Sequence, residues 1–176
     1  MTEAPLRVQT PDPYVEAWIR FAQARGVLGR LQERFFSETE LTREEYRVLI
    51  VLTNVPDQRL TQNELARWLY RRPNTVSEQA VQMERRGLVK RERDPQDRRA
   101  VYVCPTERGR RLCQEVTEVT HAMIREVMQD MRETEVSELV SLLDKLIQGA
   151  TRYLQRRQGA EDQAEGEGRA PGRAGR

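Results

Sequence analysis

Hydrophobic residues recur along this chain with a helical period at both ends and a mixed period in the middle. From Tyr14 to Phe35 they return at steps of three and four residues or multiples of these, which predicts a long first helix. Asp12 followed by Pro13 is a typical helix start. A second helix is predicted from Thr42, because Thr42 and Glu45 form a capping box in which each side chain satisfies the other residue's backbone donor.

The middle of the chain holds two short helical patterns and then two β-like runs. One of these short helices is predicted to start at Thr61, where Thr61 and Glu64 form another capping box. The other is predicted to start at Pro73 and to end at Gly87. The β-like runs, 88–93 and 100–104, are joined by a charged tip. A helix pair followed by a basic hairpin is the layout of a winged helix-turn-helix, a module that places one helix in the major groove of DNA.

Helical periodicity returns after the hairpin and is lost near the end of the chain. Apolar residues form one stripe from Leu112 to Met131 and another from Val136 to Leu154, which predicts two terminal helices. The stretch 158–176 holds half of the ten glycines and no bulky apolar residue, so it is predicted to be disordered. Residues 1–12 hold prolines among polar residues and are predicted to form an extended arm. The predicted fold class is mainly α with a small β-hairpin.

The charge of the chain is distributed unevenly. Between Arg59 and Arg111 there are 14 Lys and Arg against 7 Asp and Glu, a surplus of seven, so the rest of a chain of net charge +2 carries −5. A basic segment between acidic helices is expected when one part of a molecule faces phosphate. Apolar residues make up 38% and charged residues 33%, which suits long helices that a second copy partly buries.

Several function classes lack the residues that they need. An enzyme needs a nucleophile with a base, or a metal set, and this chain has one histidine, His121, and no glycine-rich phosphate loop. Cys104 and Cys113 lack metal-ligand spacing and are expected to be reduced thiols, as in the cytoplasm. No apolar run is long enough for a signal peptide or a membrane span. We therefore predict a cytoplasmic protein that is not an enzyme and holds no metal or cofactor.

The predicted helix from Pro73 has one apolar and one polar face. If Val76, Ala80 and Met83 are buried, the opposite face presents short polar side chains that suit base edges and phosphates. A solvated polar face is the alternative, and Glu78 favours it because a carboxylate repels phosphate unless it accepts from a cytosine amino group. The candidate DNA contacts on and just before this helix are Arg71, Arg72, Asn74, Thr75, Ser77, Glu78, Gln82 and Arg85.

The tip of the hairpin carries a second set of candidate contacts. Arg98 and Arg99 project from the end of two strands and could enter the minor groove, where the potential is most negative. Asp97 could orient one guanidinium group through a bidentate pair. The alternative is an exposed ion pair that contributes under about 1 kcal/mol. The order of helix and tip along the chain favours DNA binding.

At these residues the chain resembles the MarR (multiple antibiotic resistance regulator) family of winged-helix transcription regulators. The family's wing pattern, D-x-R-x-x-x-V-x-L-T-x-x-G, corresponds to Asp97–Gly109, and its L-E-x-x-G-L-V pattern corresponds to Met83–Val89. The resemblance extends from the first helix to the last. Two features depart from the family: Pro105 replaces a leucine, and Glu78 and Gln82 stand where arginine is often found.

The resemblance implies roles that the residues alone do not give. Arg99 would enter the minor groove and Asp97 would position it. The protein would be a homodimer that binds a palindromic operator on double-stranded DNA, and a small-molecule effector would release it. The implied domains are an arm (1–12), a dimerisation helix (13–40), the winged helix-turn-helix (41–105), two dimerisation helices (106–157) and a disordered tail (158–176). The side chains expected at the dimer interface are Tyr14, Trp18, Phe21, Leu139, Leu143, Leu146 and Tyr153.

Three alternatives stay open at this point. Trp18 and Phe21 could be covered by a partner subunit or by the chain's own last helices. Arg110 and Arg111 could lower the pKa of Cys113 and make the protein a redox sensor, whereas burial as a small apolar residue is the other account of both thiols. A helical interaction protein that does not bind DNA is the third alternative, and the basic wing argues against it. We expect a sequence-specific regulator that acts as a repressor.

Overall fold

The computed structural model describes residues 10–94 and 100–167, with the backbone alone for 158–167. The chain divides into two compact units, Met1–Ala122 and Met123–Arg176. The elements in chain order are α1 (Pro13–Ser37), α2 (Arg43–Asn54), β1 (Leu60–Thr61), α3 (Gln62–Leu69), α4 (Pro73–Arg85), β2 (Val89–Arg93), β3 (Val101–Pro105), α5 (Glu107–Val127) and α6 (Glu133–Glu167).

The helices of the first unit begin where their capping residues predict. Asp12 accepts a hydrogen bond from the Tyr14 N–H at 2.8 Å, and Pro13 is the first residue of α1. The capping box of Thr42 and Glu45 is confirmed, and so is a second one at Thr61, where α3 begins. Each cap satisfies backbone donors that have no partner within the helix, which stabilises the helix by about 1 kcal/mol.

The sheet has three antiparallel strands in the order β1-β3-β2. The predicted hairpin is confirmed as β2 and β3, which pair from Val89↔Pro105 to Arg93↔Val101. The prediction missed β1, which adds Leu60↔Val103 to the other edge of β3. Two residues are too few to show the alternation of a strand, and their pairing is set by contacts distant in sequence.

The core of the first unit lies between α2, α3, α4, the sheet and the first half of α5. The apolar face predicted for α4 is confirmed, since Val76, Ala80 and Met83 are each 1% exposed. Packing against this face holds α4 on the unit and leaves its opposite face outward. Other fully buried side chains in the same core are Leu41, Val48, Leu49, Leu52, Leu65, Leu88, Val89 and Val103.

The start of α5 packs on the residue that joins α4 to the wing. A Cβ atom at Gly109 would lie 2.0 Å from the Leu88 carbonyl oxygen, so only glycine fits at this point of closest approach. The Thr106 N–H donates to that same oxygen at 3.0 Å, and the Thr106 hydroxyl accepts from the Gly109 N–H at 3.0 Å. The threonine and glycine of the wing motif therefore fix α5 against the base of the hairpin.

The second unit is dominated by α6. The Arg132 N–H donates to the Glu135 carboxylate at 2.8 Å, which caps the start of the helix. The predicted disorder from Gln158 onward is wrong as far as Glu167, because α6 continues to that residue. Alanine, glutamine and glutamate favour helix, and a preformed helix extends without a new nucleation step. Among the described residues, no helix has the length and apolar character needed to cross a bilayer.

Candidate nucleic-acid interface

α3 and α4 form a helix-turn-helix that presents α4 on the surface. Leu65, Ala66 and Leu69 bury one side of α3 in the core. The chain then turns at Tyr70, and the Arg71 N–H donates to the Ala66 carbonyl at 2.9 Å, which closes the turn. Arg72 is the N-cap residue of α4 and makes no side-chain capping bond.

The polar face predicted for α4 is brought together on one open surface. Ser77 is half-buried, and the other predicted side chains on and just before α4, except Arg71, are exposed. Within the described part of the chain, Arg72, Glu78 and Arg85 have no ion-pair partner, so their charges are available to a ligand. The exposed set is Arg72, Asn74, Thr75, Glu78, Gln82 and Arg85.

Arg71 has a role that the sequence did not indicate. Its Nη2 lies 2.6 Å from a carboxylate oxygen of Glu44 on α2. The same carboxylate lies 3.1 Å from Arg43 and 3.6 Å from Arg47. One negative charge is thus shared by three arginines that are all partly exposed, and the cluster keeps a net positive charge beside the helix-turn-helix.

A carboxylate on α4 holds the wing to the recognition helix. The Glu84 carboxylate accepts from both the backbone N–H and the Nε of Arg91 on β2, each at 2.9 Å. These two hydrogen bonds from Arg91 hold the pKa of Glu84 below its ordinary value of 4.5. The pairing fixes the angle between α4 and the hairpin, on which simultaneous contacts to two grooves would depend.

We predict that Glu84→Gln flattens the pH dependence of stability in acid. A lowered folded pKa gives stabilisation that is complete above the unfolded value of 4.5 and is lost as the pH falls through the folded value. Urea unfolding of wild type at about pH 6 and about pH 3 should therefore show a larger loss than in Glu84→Gln. Arg91→Ala removes the Nε donor and keeps the backbone N–H donor, so it should flatten the profile in part. Parallel profiles in all three proteins would show that this pairing does not couple folding to pH.

A second carboxylate ties α2 to the end of α4. Glu45 is 7% exposed, and its carboxylate lies 2.5 Å from an Nη of Arg86. The other Nη of Arg86 donates to the Glu40 carbonyl at 2.8 Å. Glu45 also closes the α2 capping box, so one oxygen of this buried carboxylate accepts from both the Thr42 N–H and Arg86, which offsets the cost of burying a charge. The sequence identified Glu45 only as a cap.

The predicted wing contacts Asp97, Arg98 and Arg99 lie outside the described residues. The described part of the hairpin ends where the Asp94 N–H donates to the Ala100 carbonyl at 3.0 Å. On its outer surface the guanidinium of Arg59 lies 4.7 Å from the ring centre of Tyr102, a cation–π contact between β3 and the residue before β1. β3 is therefore held by its pairing with β2 on one side and by the contact with Arg59 on the other.

The two thiols are buried, which argues against the redox alternative. Burial raises the pKa of Cys113, which agrees with the account of a buried small apolar residue and not with the alternative in which Arg110 and Arg111 lower the pKa. Burial, followed by the nearby Glu92 carboxylate, raises the pKa of Cys104 as well. A raised pKa reduces the reactive thiolate. Among the residues that the structure describes, there is also no group of three His, Cys, Asp or Glu side chains arranged to hold a metal.

Comparisons with known proteins agree with this architecture. A family model described as MarR family matches residues 39–100. AbsC, a MarR family transcriptional regulator from Streptomyces coelicolor, is 25% identical with a TM-score of 0.71, over 85% of this chain and 99% of that one. MepR from S. aureus, solved in complex with DNA, is 24% identical with a TM-score of 0.68, over 75% of this chain and 96% of that one. PcaV from S. coelicolor, solved with its natural ligand, is 24% identical with a TM-score of 0.64, over 82% of this chain and 99% of that one. No curated protein matched the chain.

The fold and the open face of α4 are those of a winged helix-turn-helix protein, the architecture of DNA-binding transcription regulators. Residues 39–100 match the MarR family model, and the fold is similar to that of the MarR family regulator AbsC.

Proposed function

We propose that this protein is a repressor that binds a palindromic operator as a homodimer and leaves it when a small-molecule effector binds. The observation that carries the DNA-binding part is the outward face of α4, which offers six exposed polar or charged side chains on a unit with a surplus of basic residues. Amide and hydroxyl groups on such a helix suit base edges, and the arginines suit phosphates. As a DNA-binding regulator it would act in the cytoplasm.

Exposed apolar side chains on α1 and on α6 support the homodimer. On α1, Tyr14 is 86% exposed and Trp18 is 61% exposed. On α6, Tyr153 is 58% exposed, and Leu139, Leu143 and Leu146 are half-buried. Large apolar side chains left in water on a helix are typical of an interface with another molecule. A second copy paired by a two-fold axis would cover them and would present two α4 helices to the two half-sites of a palindrome.

Release by a small-molecule effector is supported by a protein of similar fold. PcaV, which has the same fold, was solved in complex with its natural ligand, and a ligand-controlled regulator is therefore a reasonable model for this chain. Neither buried thiol supports control by oxidation instead.

The proposal is tested by selecting genomic fragments that the protein binds, and then by screening compounds that release them. A repressor dimer predicts that the selected fragments share an inverted repeat, with half-site centres about one helical turn or a multiple of it apart. It also predicts that at least one compound releases the fragments. Selected fragments without a shared sequence would contradict specific binding, and shared sequences without two-fold symmetry would contradict the dimer.

We expect Arg72→Ala to weaken DNA binding on every sequence alike. Arg72 is exposed at the start of α4, where a guanidinium group suits a phosphate rather than a base. Removal of this group should lower affinity by roughly tenfold and should reduce the slope of log K against log salt by about 1, the change expected for a single phosphate. Arg152→Ala serves as a control, because it removes the same charge from α6, outside the winged helix-turn-helix. An unchanged slope in Arg72→Ala would remove Arg72 from the interface.

A further inference from the structure

The turn before the recognition helix carries a strained tyrosine. Tyr70 has φ +52° and ψ +45°, a left-handed conformation that glycine or asparagine adopts readily and that is an outlier for a bulky side chain. Among the described residues, Gln58 and Tyr70 are the two with positive φ that are not glycine. Glycine is common in helix-turn-helix turns, so tyrosine at this position opposes the local backbone preference.

The fold gains little from the side chain of Tyr70. The turn is closed by backbone groups, since the Tyr70 N–H donates to the Arg67 carbonyl and the Arg71 N–H donates to the Ala66 carbonyl. Any residue would make these bonds. The ring itself is 74% exposed, and in the described part of the chain no hydrogen bond to the phenol is found. A strained backbone that packing does not reward is a reason to look for a function of the side chain.

The surroundings of Tyr70 point to the DNA backbone. Arg71 and Arg72 follow it directly, and α4 begins at the next residue. On its other side, Tyr70 and the exposed Trp68 line an open concavity of about 540 Å³ together with Leu60, Glu64 and Arg67. The turn before a recognition helix passes the edge of the groove that the helix enters, where sugars and phosphates lie.

We propose that Tyr70 contacts the DNA backbone beside the groove that α4 enters, with its ring against a deoxyribose and its hydroxyl donating to a phosphate. Tyrosine hydroxyls are among the groups that contact phosphate and set the register of a protein on DNA. The hydrogen bonds that Glu64 accepts from Thr61 lower the pKa of Glu64, so this concavity holds a carboxylate. The Arg67 guanidinium lines the same concavity and offsets this charge, so an uncharged sugar suits the concavity. This inference rests on the proposed DNA-binding function and adds a residue outside the polar face of α4.

The test is a variant in which stability and affinity move in opposite directions. Tyr70→Gly relieves the left-handed strain, so its melting temperature should equal or exceed that of wild type. Its affinity for the selected operator should nevertheless fall at least fivefold at fixed salt. Tyr70→Phe keeps the ring and removes the hydroxyl, and it should lose at least threefold with an unchanged melting temperature. Gln58→Gly, which alters the other left-handed residue, should bind DNA like wild type.

The outcomes separate this inference from the function on which it rests. If Tyr70→Gly and Tyr70→Phe both bind the operator as wild type does while Arg72→Ala binds weakly, Tyr70 is not a DNA contact and the proposed function stands. If wild type itself shows no preference for any selected fragment, the proposed function fails first. Normal operator affinity of Tyr70→Gly with altered release by the effector would also overturn the inference, and would assign the concavity to a small molecule.

Discussion

Gly109→Ala is expected to lower the free energy of unfolding by about 3 kcal/mol, the upper end of the usual cost of overpacking. The added methyl group would lie 2.0 Å from the Leu88 carbonyl oxygen and 3.2 Å from a methyl carbon of Leu49. The carbonyl belongs to the backbone and is already bonded to the Thr106 N–H, so it cannot rotate away. Relief requires α5 to move off the base of the wing.

Urea unfolding of Gly109→Ala and wild type measures this effect. Gly149→Ala on α6 is the matched control, because a Cβ atom there meets nothing closer than an Nη of Arg152 at 4.0 Å. Alanine favours a helix over glycine by about 1 kcal/mol, so the control should be as stable as wild type or more stable. An unchanged unfolding midpoint in Gly109→Ala would mean that α5 does not pack on Leu88 as closely as described.

Arg99→Ala is expected to reduce operator affinity by roughly 10- to 100-fold, the range for removal of a hydrogen bond to a charged group. The expectation rests on the wing motif and on the basic surplus of this region, since Arg99 lies outside the described residues. An arginine in the minor groove is favoured by the strong negative potential there. The sequence pattern predicts that Arg99 is at the tip of the hairpin and not in an apolar position, so the melting temperature should not change.

Arg93→Ala on β2 is the comparison for Arg99→Ala. Arg93 is exposed and pairs with Val101 at the described end of the hairpin, so its removal takes one positive charge from β2 and not from the tip. A tip contact predicts a clearly larger loss of affinity in Arg99→Ala than in Arg93→Ala at the same salt concentration. Equal losses of affinity would mean that the wing acts only through its overall positive charge. No loss of affinity in either variant would exclude the wing from the DNA interface.

The sequence predicted those parts of the fold that depend on near neighbours in the chain. Capping boxes join residues three apart, as at Thr42 and Thr61, and a buried helix face repeats every three or four residues, as from Val76 to Met83. Gly87 has φ +68°, as its place after a helix predicted. Such features are visible because their physical causes are local.

The features that the sequence missed depend on contacts between distant residues. Glu84 and Arg91, Glu44 and Arg71, and Glu45 and Arg86 are ion pairs that join different elements. No periodicity shows which carboxylate will face which arginine. β1 was missed for the same reason, because two residues become a strand only through pairing with β3. These contacts decide how α4 and the wing are held, so the candidate site was predicted in outline and its supports were not.

Composition alone misjudged the end of α6. The glycines and the lack of bulky apolar residues from Gln158 onward indicated disorder, yet the helix continues to Glu167. The glycine content was weighed as a property of an isolated segment, whereas the segment follows a long helix that removes the cost of nucleation. Gly109 shows the opposite case. The wing motif predicted a glycine at this position. The cause, the close approach of Gly109 to Leu88, is visible only in the folded structure.

The function proposed for this winged helix-turn-helix is sequence-specific DNA binding through α4 and the wing. It is tested most directly by titrating a selected operator fragment and a scrambled fragment with wild-type protein at several salt concentrations. The account predicts at least roughly 1,000-fold tighter binding to the operator and a linear fall of log K with log salt on both fragments. Equal affinity for the two fragments, or an affinity for the operator that does not change with salt, would contradict it.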